Sequence, residues 1–123
     1  SKTIRYMSGG WKKTVSIPST ATLKLSFRYK LTQSPEYESD EYSQVNVTVD
    51  GCTVCSGSSN YIARIYGNGN GGSEITTGWQ LYEVTGSLAA GNHTLTIGGY
   101  NNKKTYSNEW STILIDDVVV KLQ

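Results

Sequence analysis

The chain has 123 residues, a length that predicts one domain with a real core but is too short for a two-domain enzyme. Eleven basic and ten acidic residues leave a formal net charge of +1, and no block of Lys or Arg exceeds two residues, so a basic nucleic-acid surface is excluded. Nine tyrosines and three tryptophans against one Phe favour a secreted β-protein with wet binding surfaces.

The sequence starts at Ser1 and shows neither a signal peptide nor a transmembrane stretch. We therefore expect residues 1–123 to form a single module cut from a larger secreted protein. Such a module is expected to be extracellular and monomeric, with no nucleic-acid and no membrane partner.

Alternation of apolar and polar residues predicts strands along the whole chain and no helix. The alternation is clearest over residues 22–31, and residues 44–49 repeat it before Asp50-Gly51, a dipeptide typical of hairpin turns. Short strands with regularly spaced turns predict an all-β fold, a two-sheet antiparallel β-sandwich of the jelly-roll type. In chain order, the other predicted strands cover residues 3–7, 11–17, 61–66, 79–84, 93–97 and 111–122.

Three long loops are predicted, at residues 32–41, 67–77 and 100–108. Function in a rigid sandwich usually lies on such loops. The glycine-rich run at 67–72 lacks the Lys and the following helix of a phosphate-binding loop, so nucleotide binding is excluded. It is predicted to be a turn that needs positive φ, or a flat rim that lets a polymer approach the backbone.

Cys52 and Cys55 are the only cysteines and are spaced C-x-x-C. One such pair cannot complete a four-ligand zinc site, and the one histidine, His93, is distant in sequence. A redox motif would normally open a helix, whereas this pair follows a predicted turn in a β context. The two cysteines could form a local disulfide, or they could remain as two half-buried thiols.

Asp116 and Asp117 lie inside the most apolar run of the chain, residues 113–120. Because side chains alternate along a strand, one of the two should face the core unless the strand bulges there. A carboxylate in an apolar interior needs a cation, hydrogen bonds or a shifted pKa to offset its desolvation.

Calcium takes roughly six to eight oxygen ligands, so it needs acids that converge from different segments. The loop acids could instead form a solvated negative turn. The acids available are Glu36, Glu38, Asp40, Glu41, Glu109, Asp116 and Asp117. From these we predict one calcium ion held by Glu38, Asp40, Asp116 and Asp117.

Aromatic rings beside loops are candidates for stacking on a sugar. Trp11 and Trp110 are either core rings or sugar platforms, whereas Trp79 is predicted to be a core ring. The Asn-Lys segment at 101–104 adds donors and mobile positive charges, which favour an acidic polysaccharide such as pectin or alginate over a neutral one. The predicted ligand-binding residues are Trp11, Tyr37, Tyr100, Asn101, Lys103, Lys104 and Trp110.

Catalytic residues are not predicted. His93 begins a strand after a turn, and no Ser or Cys carries a recognisable nucleophile signature. The acids that could serve glycoside hydrolysis are better assigned to the metal. We therefore expect no enzymatic activity.

An ordered series of segments carries a resemblance to a known group of proteins. The segments are Tyr37-Glu38-Ser39-Asp40-Glu41-Tyr42, Val49-Asp50-Gly51, Gly67-Asn68-Gly69-Asn70-Gly71-Gly72, Thr76-Thr77-Gly78-Trp79-Gln80, Leu88-Ala89-Ala90-Gly91-Asn92-His93-Thr94-Leu95, Gly98-Gly99-Tyr100-Asn101-Asn102-Lys103-Lys104-Thr105 and Ile115-Asp116-Asp117-Val118. Together they resemble the accessory β-sandwich modules of secreted bacterial polysaccharide lyases, glycoside hydrolases and peptidases, which are similar to carbohydrate-binding modules. The resemblance covers most of the chain, and it implies a non-catalytic module with a calcium site near the terminal Asp pair.

The expected function is that of a calcium-containing carbohydrate-binding module. It would keep a parent catalytic domain of the same chain on a plant or algal polysaccharide by raising its local concentration. The alternative is a structural or protein-interaction β-sandwich, such as an adhesin segment or a protease companion domain. A solvent-facing aromatic groove would favour the first function, and an exposed apolar patch would favour the second.

Overall fold

The computed structural model of the protein describes residues 3–51, 61–69 and 71–123. Cys52 and Cys55 lie outside the described residues. The fold is all-β, as the alternating pattern predicted, and the described residues contain no helix that could cross a membrane. The strands are β1 (Ile4–Ile17), β2 (Ala21–Gln33), β3 (Tyr42–Val49), β4 (Tyr61–Tyr66), β5 (Ile75–Thr76), β6 (Gln80–Leu88), β7 (Gly91–Lys104) and β8 (Ser111–Leu122).

The strands form two antiparallel sheets that pack as a sandwich, which confirms the predicted fold class. Sheet A has the order β1-β7-β3-β4. In sheet B, β2 is central, with β8 on one side and both β6 and the short β5 on the other. The chain changes sheet between most successive strands, which is the alternation expected of a jelly roll.

The core lies between β2 of sheet B and the central strands of sheet A. The predicted apolar side of residues 22–31 is buried there, as alternation along β2 requires. Burying a large apolar side chain stabilises a fold by about 1.5–3 kcal/mol, so this layer supplies much of the driving force. Its main members are Ile17, Leu23, Leu25, Phe27, Tyr29, Leu31, Val45, Val47, Ile65 and Ile97.

β1 and β7 are much longer than the sequence pattern predicted. The segments predicted at 3–7 and 11–17 form one strand, β1, and the strand predicted at 93–97 extends as β7 to Lys104. Gly10 pairs with Gly98 in the region where the sequence pattern predicted that both strands would be interrupted. A Cβ atom on Gly10 would lie 2.3 Å from the Ile97 carbonyl oxygen, so glycine here permits close strand pairing rather than a loop.

Asp50-Gly51 forms a turn at the end of β3, and residues 52–55, which would complete the predicted hairpin, lie outside the described residues. Asp50 has φ of 54° and Gly51 has φ of 81°, the positive values that a type I′ turn requires.

A β-bulge in β8 changes the interpretation of Asp116 and Asp117. Ser26 pairs with Val119 and Arg28 pairs with Asp116, so β8 carries an extra residue at this point. Asp117 takes a positive φ of 53°, and both carboxylates are exposed. The expectation that one of them faces the core is therefore corrected: the bulge turns both to solvent.

Candidate metal centre and tyrosine face

Three glutamates converge at one end of sheet A. Glu38 and Glu41 come from the loop between β2 and β3, and Glu109 comes from the loop between β7 and β8. One carboxylate oxygen from each lies within 4.8 Å of the others. Glu41 and Glu109 are fully buried, whereas Glu38 is half-buried.

A tight turn holds Glu38 and Glu41 together. The Glu41 backbone N–H donates to the Glu38 carbonyl oxygen at 3.0 Å, and the Glu38 backbone N–H donates to Glu41 Oε1 at 2.9 Å. Because each residue bonds to the other, the turn fixes the position of the Glu41 carboxylate before any ligand arrives.

Glu109 is fixed by the turn that precedes it. The backbone N–H of Tyr106 donates to Glu109 Oε1 at 3.1 Å, and that of Thr105 donates to Glu109 Oε2 at 3.1 Å. The Thr105 hydroxyl lies 2.9 Å from Glu109 Oε1 and 3.2 Å from Glu38 Oε2, and it can donate its proton to only one of them. Thr105 thus connects two of the three acids.

The second oxygen of Glu41 is the unusual atom of this cluster. Glu41 Oε2 is buried and has no hydrogen-bond partner among the described residues. Burial, and then the neighbouring carboxyls of Glu38 and Glu109, raise the pKa of Glu41 to about 7. No Lys or Arg of the described chain forms an ion pair with any of the three acids. The cluster therefore has the charge and the free oxygen to accept a cation.

The loop after β4 closes the cluster from another side. The Gly67 backbone N–H donates to the Glu41 carbonyl oxygen at 2.9 Å, and that of Gly69 donates to the Tyr37 carbonyl oxygen at 3.2 Å. A Cβ atom on Gly67 would lie 2.1 Å from the Glu38 carbonyl oxygen. The start of the glycine-rich run therefore packs against the loop that carries Glu38 and Glu41.

The structure does not gather the four predicted metal ligands. Only Glu38 belongs to the cluster. Asp40 is exposed and forms an ion pair with Lys103, while Asp117 lies on sheet B with its Oδ2 3.6 Å from Arg28 Nε. Asp116 Oδ1 accepts a hydrogen bond from the Asp117 backbone N–H at 2.8 Å.

The outer surface of sheet A carries a group of four tyrosines, Tyr42, Tyr61, Tyr66 and Tyr100, which we call the tyrosine face. The Tyr42 ring lies between two of the others, with centroids 5.5 Å from Tyr66 and 6.2 Å from Tyr100. Alternation along β3 explains this placement, because Val45 faces the core and Tyr42 therefore faces out.

A surface depression of about 320 Å³ lies beside the tyrosine face. Its floor is the backbone where Gly10 pairs with Gly98. The polar residues that line it are Ser8, Lys12, Asn46, Thr48 and Thr96. A flat polar ligand could therefore reach the backbone of sheet A here.

The predicted ligand-binding residues fall in different places. Tyr100 belongs to the tyrosine face, and Trp110 is 42% exposed in the loop before β8. Tyr37 is buried, so the prediction that it stacks on a sugar is corrected. Burial, and then the negative charges of Glu109 and Glu41, raise the pKa of Tyr37 to about 12.

The other predicted contacts lie at the core or at the end of β7. Trp11 is half-buried and packs against the core, and the Asn101 side chain donates to Ser111 Oγ at 3.0 Å. Lys103 is held by Asp40, and Lys104 is half-buried at the end of β7. Trp79, predicted as a core ring, is 48% exposed.

Sequence reasoning missed the residue at the centre of the tyrosine face, Arg64. Residues 61–66 were predicted as a strand, and Arg64 and Tyr66 share one side of it by alternation. That signal was present, but the sequence gives no means of placing this strand beside β3 in the observed register.

Comparisons with known proteins find no matching family model and no matching curated protein. Over 90% of its length, the chain is similar to part of isomalto-dextranase from Arthrobacter globiformis T6, solved with panose, at 18% identity and a TM-score of 0.39. Over 87%, it is similar to part of a cycloisomaltooligosaccharide glucanotransferase from a Paenibacillus species, solved with cycloisomaltoheptaose, at 16% identity and a TM-score of 0.33.

The chain spans only 15% of the first of these proteins and 12% of the second. Both are carbohydrate-active enzymes. At this identity and TM-score the similarity does not establish a function for this chain.

Proposed function

We propose that this chain is a non-catalytic, calcium-containing β-sandwich module that binds a polysaccharide on its tyrosine face. The calcium is held by Glu38, Glu41 and Glu109. The observation that carries the proposal is Glu41 Oε2, a fully buried carboxylate oxygen with no hydrogen-bond partner among the described residues, beside two other carboxylates. A bound cation would satisfy that oxygen and offset the repulsion among the three acids.

Calcium suits this donor set better than other common metals. The cluster offers carboxylate oxygens, and zinc prefers nitrogen and sulfur ligands. Calcium accepts irregular oxygen cages completed by backbone carbonyls and water. Extracellular calcium modules bind with dissociation constants on the order of 10⁻⁴–10⁻³ M, which fits a module of a secreted protein.

Binding rather than catalysis is proposed because of where the acids lie. Glu41 and Glu109 are fully buried, so a polysaccharide could not reach them as an acid–base pair. The tyrosine face offers amphipathic rings at the surface, which suit stacking on sugar rings beside hydrogen-bonding groups. The module would keep a parent catalytic domain close to its polymer.

The calcium proposal is tested by titrating calcium into metal-stripped protein by calorimetry and by thermal melts. We expect calcium to raise the melting temperature of the wild type, because it binds only the folded state. Glu41→Gln should abolish both the binding heat and the thermal shift. The matched control, Glu74→Gln, removes an exposed loop acid outside the cluster and should bind calcium like the wild type.

The double variant Asp116→Asn/Asp117→Asn separates this site from the one predicted from the sequence. It should keep wild-type calcium affinity. Loss of calcium binding in this double variant but not in Glu41→Gln would assign the ion to the terminal Asp pair and overturn the proposed ligands. A wild type that binds no calcium would remove the metal altogether.

The carbohydrate proposal is tested separately, by affinity electrophoresis of calcium-loaded protein on neutral and uronate polymers. We expect at least one polymer to retard the wild type, and Tyr100→Ala to reduce that retardation. Mobility unchanged on every polymer would reject carbohydrate binding and favour the alternative of a structural or protein-interaction sandwich.

A further inference from the structure

We propose that Arg64 forms a subsite of the tyrosine face that receives the carboxylate of a uronic-acid residue. This inference rests on the proposed carbohydrate-binding function and names the class of polysaccharide, a polyuronate.

The guanidinium of Arg64 is fixed between aromatic rings. Its central carbon lies 4.0 Å from the centroid of Tyr42 and 3.9 Å from that of Tyr61. Arg64 Nε donates to Gln44 Oε1 at 2.8 Å, and Nη1 donates to the Tyr66 hydroxyl at 3.0 Å. Because the side chain is held before binding, little rotamer entropy would be lost when a ligand arrives.

These contacts leave donors of Arg64 available. A guanidinium carries more N–H groups than the two used here, and their fork geometry matches the two oxygens of a carboxylate. The rings of Tyr42 and Tyr61 lie against the central carbon, so a ligand would reach the guanidinium through its remaining N–H groups.

The charge around Arg64 also favours an anion. Arg64 forms no ion pair with any acid of the described residues, whereas Arg28 on sheet B lies against Asp117. Of the acids at the two ends of β3, Asp40 binds Lys103, Asp50 binds His93, and Glu41 is buried in the glutamate cluster. A positive charge among neutral tyrosines is complementary to a negatively charged group.

The surface beside Arg64 suits a sugar polymer. On the outer side of sheet A, Arg64 is opposite Gln44, and Gln44 is opposite Tyr100, so these side chains form a row across three strands. The next row contains Asn46, which lines the depression, and Gly98, which lies at its floor. Strands lie about 4.8 Å apart, so β4 and β7 are separated by about 10 Å, and an extended glycan could contact both Arg64 and the depression.

This assignment differs from the one drawn from sequence. The lysines of the segment 101–104 were expected to supply the positive charge, but Lys103 is bound by Asp40. Arg64 takes that role here, with a planar fork that a lysine ammonium lacks.

The test uses calcium-loaded, desalted wild-type protein and sodium polygalacturonate, compared with the same polymer after chemical reduction of its carboxyl groups. We expect the acid polymer to retard the wild type and the reduced polymer to bind at least about 10-fold more weakly. Binding to the acid polymer should weaken as salt rises.

Arg64→Gln should weaken polygalacturonate binding by roughly 10- to 100-fold, the loss expected for a hydrogen bond to a charged group. Arg64→Lys should bind more weakly than the wild type, since it keeps the charge without the fork. The matched control is Arg28→Gln, which removes the same charge from the opposite sheet and should keep wild-type affinity. Thermal melts confirm that each variant is folded.

The outcomes separate the two proposals. Equal binding to the acid and reduced polymers, or wild-type affinity in folded Arg64→Gln, would overturn the uronate subsite while leaving carbohydrate binding intact. Preference for a sulfated polymer such as carrageenan over every uronate would also overturn it. If the wild type binds no polymer at all, the carbohydrate function itself fails, and the subsite fails with it.

Discussion

At the scale of single residues, the ionisation of Glu41 should control the stability of the metal-free protein. Burial and the adjacent carboxyls raise its pKa from 4.5 to about 7 in the folded state. Between those two values the unfolded chain releases a proton that the folded chain retains, so stability falls as pH rises. In excess EDTA, the melting temperature should therefore drop between about pH 5 and pH 8, by roughly 5 °C or more from this residue.

Glu41→Gln isolates this effect, because it removes the ionisation and keeps the shape of the side chain. Its melting temperature in EDTA should fall less steeply with rising pH than that of the wild type. Subtracting one curve from the other removes the effect of all other titrating groups on the melting temperature. Parallel curves for the two proteins would contradict the raised pKa. Glu74→Gln serves as the control and should follow the wild type.

His93 and Asp50 form a second titrating pair, at the opposite end of β3 from the acid cluster. His93 Nδ1 lies 2.6 Å from Asp50 Oδ2, and Nε2 lies 2.7 Å from the Ala89 carbonyl oxygen. Both neighbours accept hydrogen bonds, so they favour the doubly protonated ring: the bond to Asp50, and then that to Ala89, raises the pKa of His93. The same bond lowers the pKa of Asp50.

Because the chain has one histidine, proton NMR can follow His93 without ambiguity. We expect its pKa to lie above the ordinary value of about 6.5, and Asp50→Asn to lower it. The stability that His93 contributes is present below its unfolded pKa and is lost as pH rises through the folded one. An unchanged histidine titration in folded Asp50→Asn would contradict the pairing.

At the scale of structural elements, the loop after β4 depends on the absence of a side chain at Gly67. A Cβ there would lie 2.1 Å from the Glu38 carbonyl oxygen and 2.5 Å from that of Tyr37, both rigid backbone atoms. Gly67→Ala should therefore cost about 1–3 kcal/mol of unfolding free energy by overpacking, measured by urea denaturation. Gly67→Ala should also weaken calcium binding, because the loop that carries Glu38 and Glu41 must move to make room for the added methyl group.

Gly86→Ala is the matched control for this substitution. A Cβ on Gly86 would meet no atom within 4 Å, and both variants restrict the unfolded chain equally. Gly86→Ala should be neutral or slightly stabilising. If Gly67→Ala proved as stable as Gly86→Ala, the two loops would not be packed as described.

The elements also show what the sequence could predict. Apolar alternation identified β2 and the inward side of β3, because burial of one face dictates that pattern. The same rule failed where β1 and β7 contain glycines. In the local sequence these glycines predict loops, but in the structure they permit close pairing between the two strands. The bulge at Asp117 follows from the pairing of β8 with β2, which no local pattern specifies.

The candidate sites were also predictable only in part, because local sequence indicates the residue types and not which loops meet. Glu38 was predicted as a metal ligand, and Glu41 and Glu109 were among the acids considered. Nothing in the sequence reveals that the turns at 38–41 and 105–109 meet, because they are brought together by two different sheet connections. The tyrosine face likewise depends on the register of β4 against β3, which is a tertiary property.

At the scale of the whole molecule, the acid cluster and the tyrosine face share the ends of two strands. Glu41 directly precedes Tyr42, and Tyr66 directly precedes Gly67, whose backbone N–H bonds to the Glu41 carbonyl. Tyr42 and Tyr66 in turn contact Arg64. Without calcium, repulsion among three carboxylates acts on the same strand ends that position the proposed uronate subsite.

Calcium should therefore strengthen glycan binding, by about 5-fold or more, and bound glycan must raise calcium affinity by the same factor. Calorimetry with a short oligogalacturonate, with calcium and with EDTA, measures the first factor, and calcium titration with and without the sugar measures the second. Uronates also bind calcium directly, so Glu41→Gln provides the control. This variant neither binds the metal nor carries the third carboxylate, so it should bind the sugar with the same affinity in calcium and in EDTA. Equal affinity of the wild type in calcium and in EDTA would show that the metal stabilises the fold without reaching the binding face.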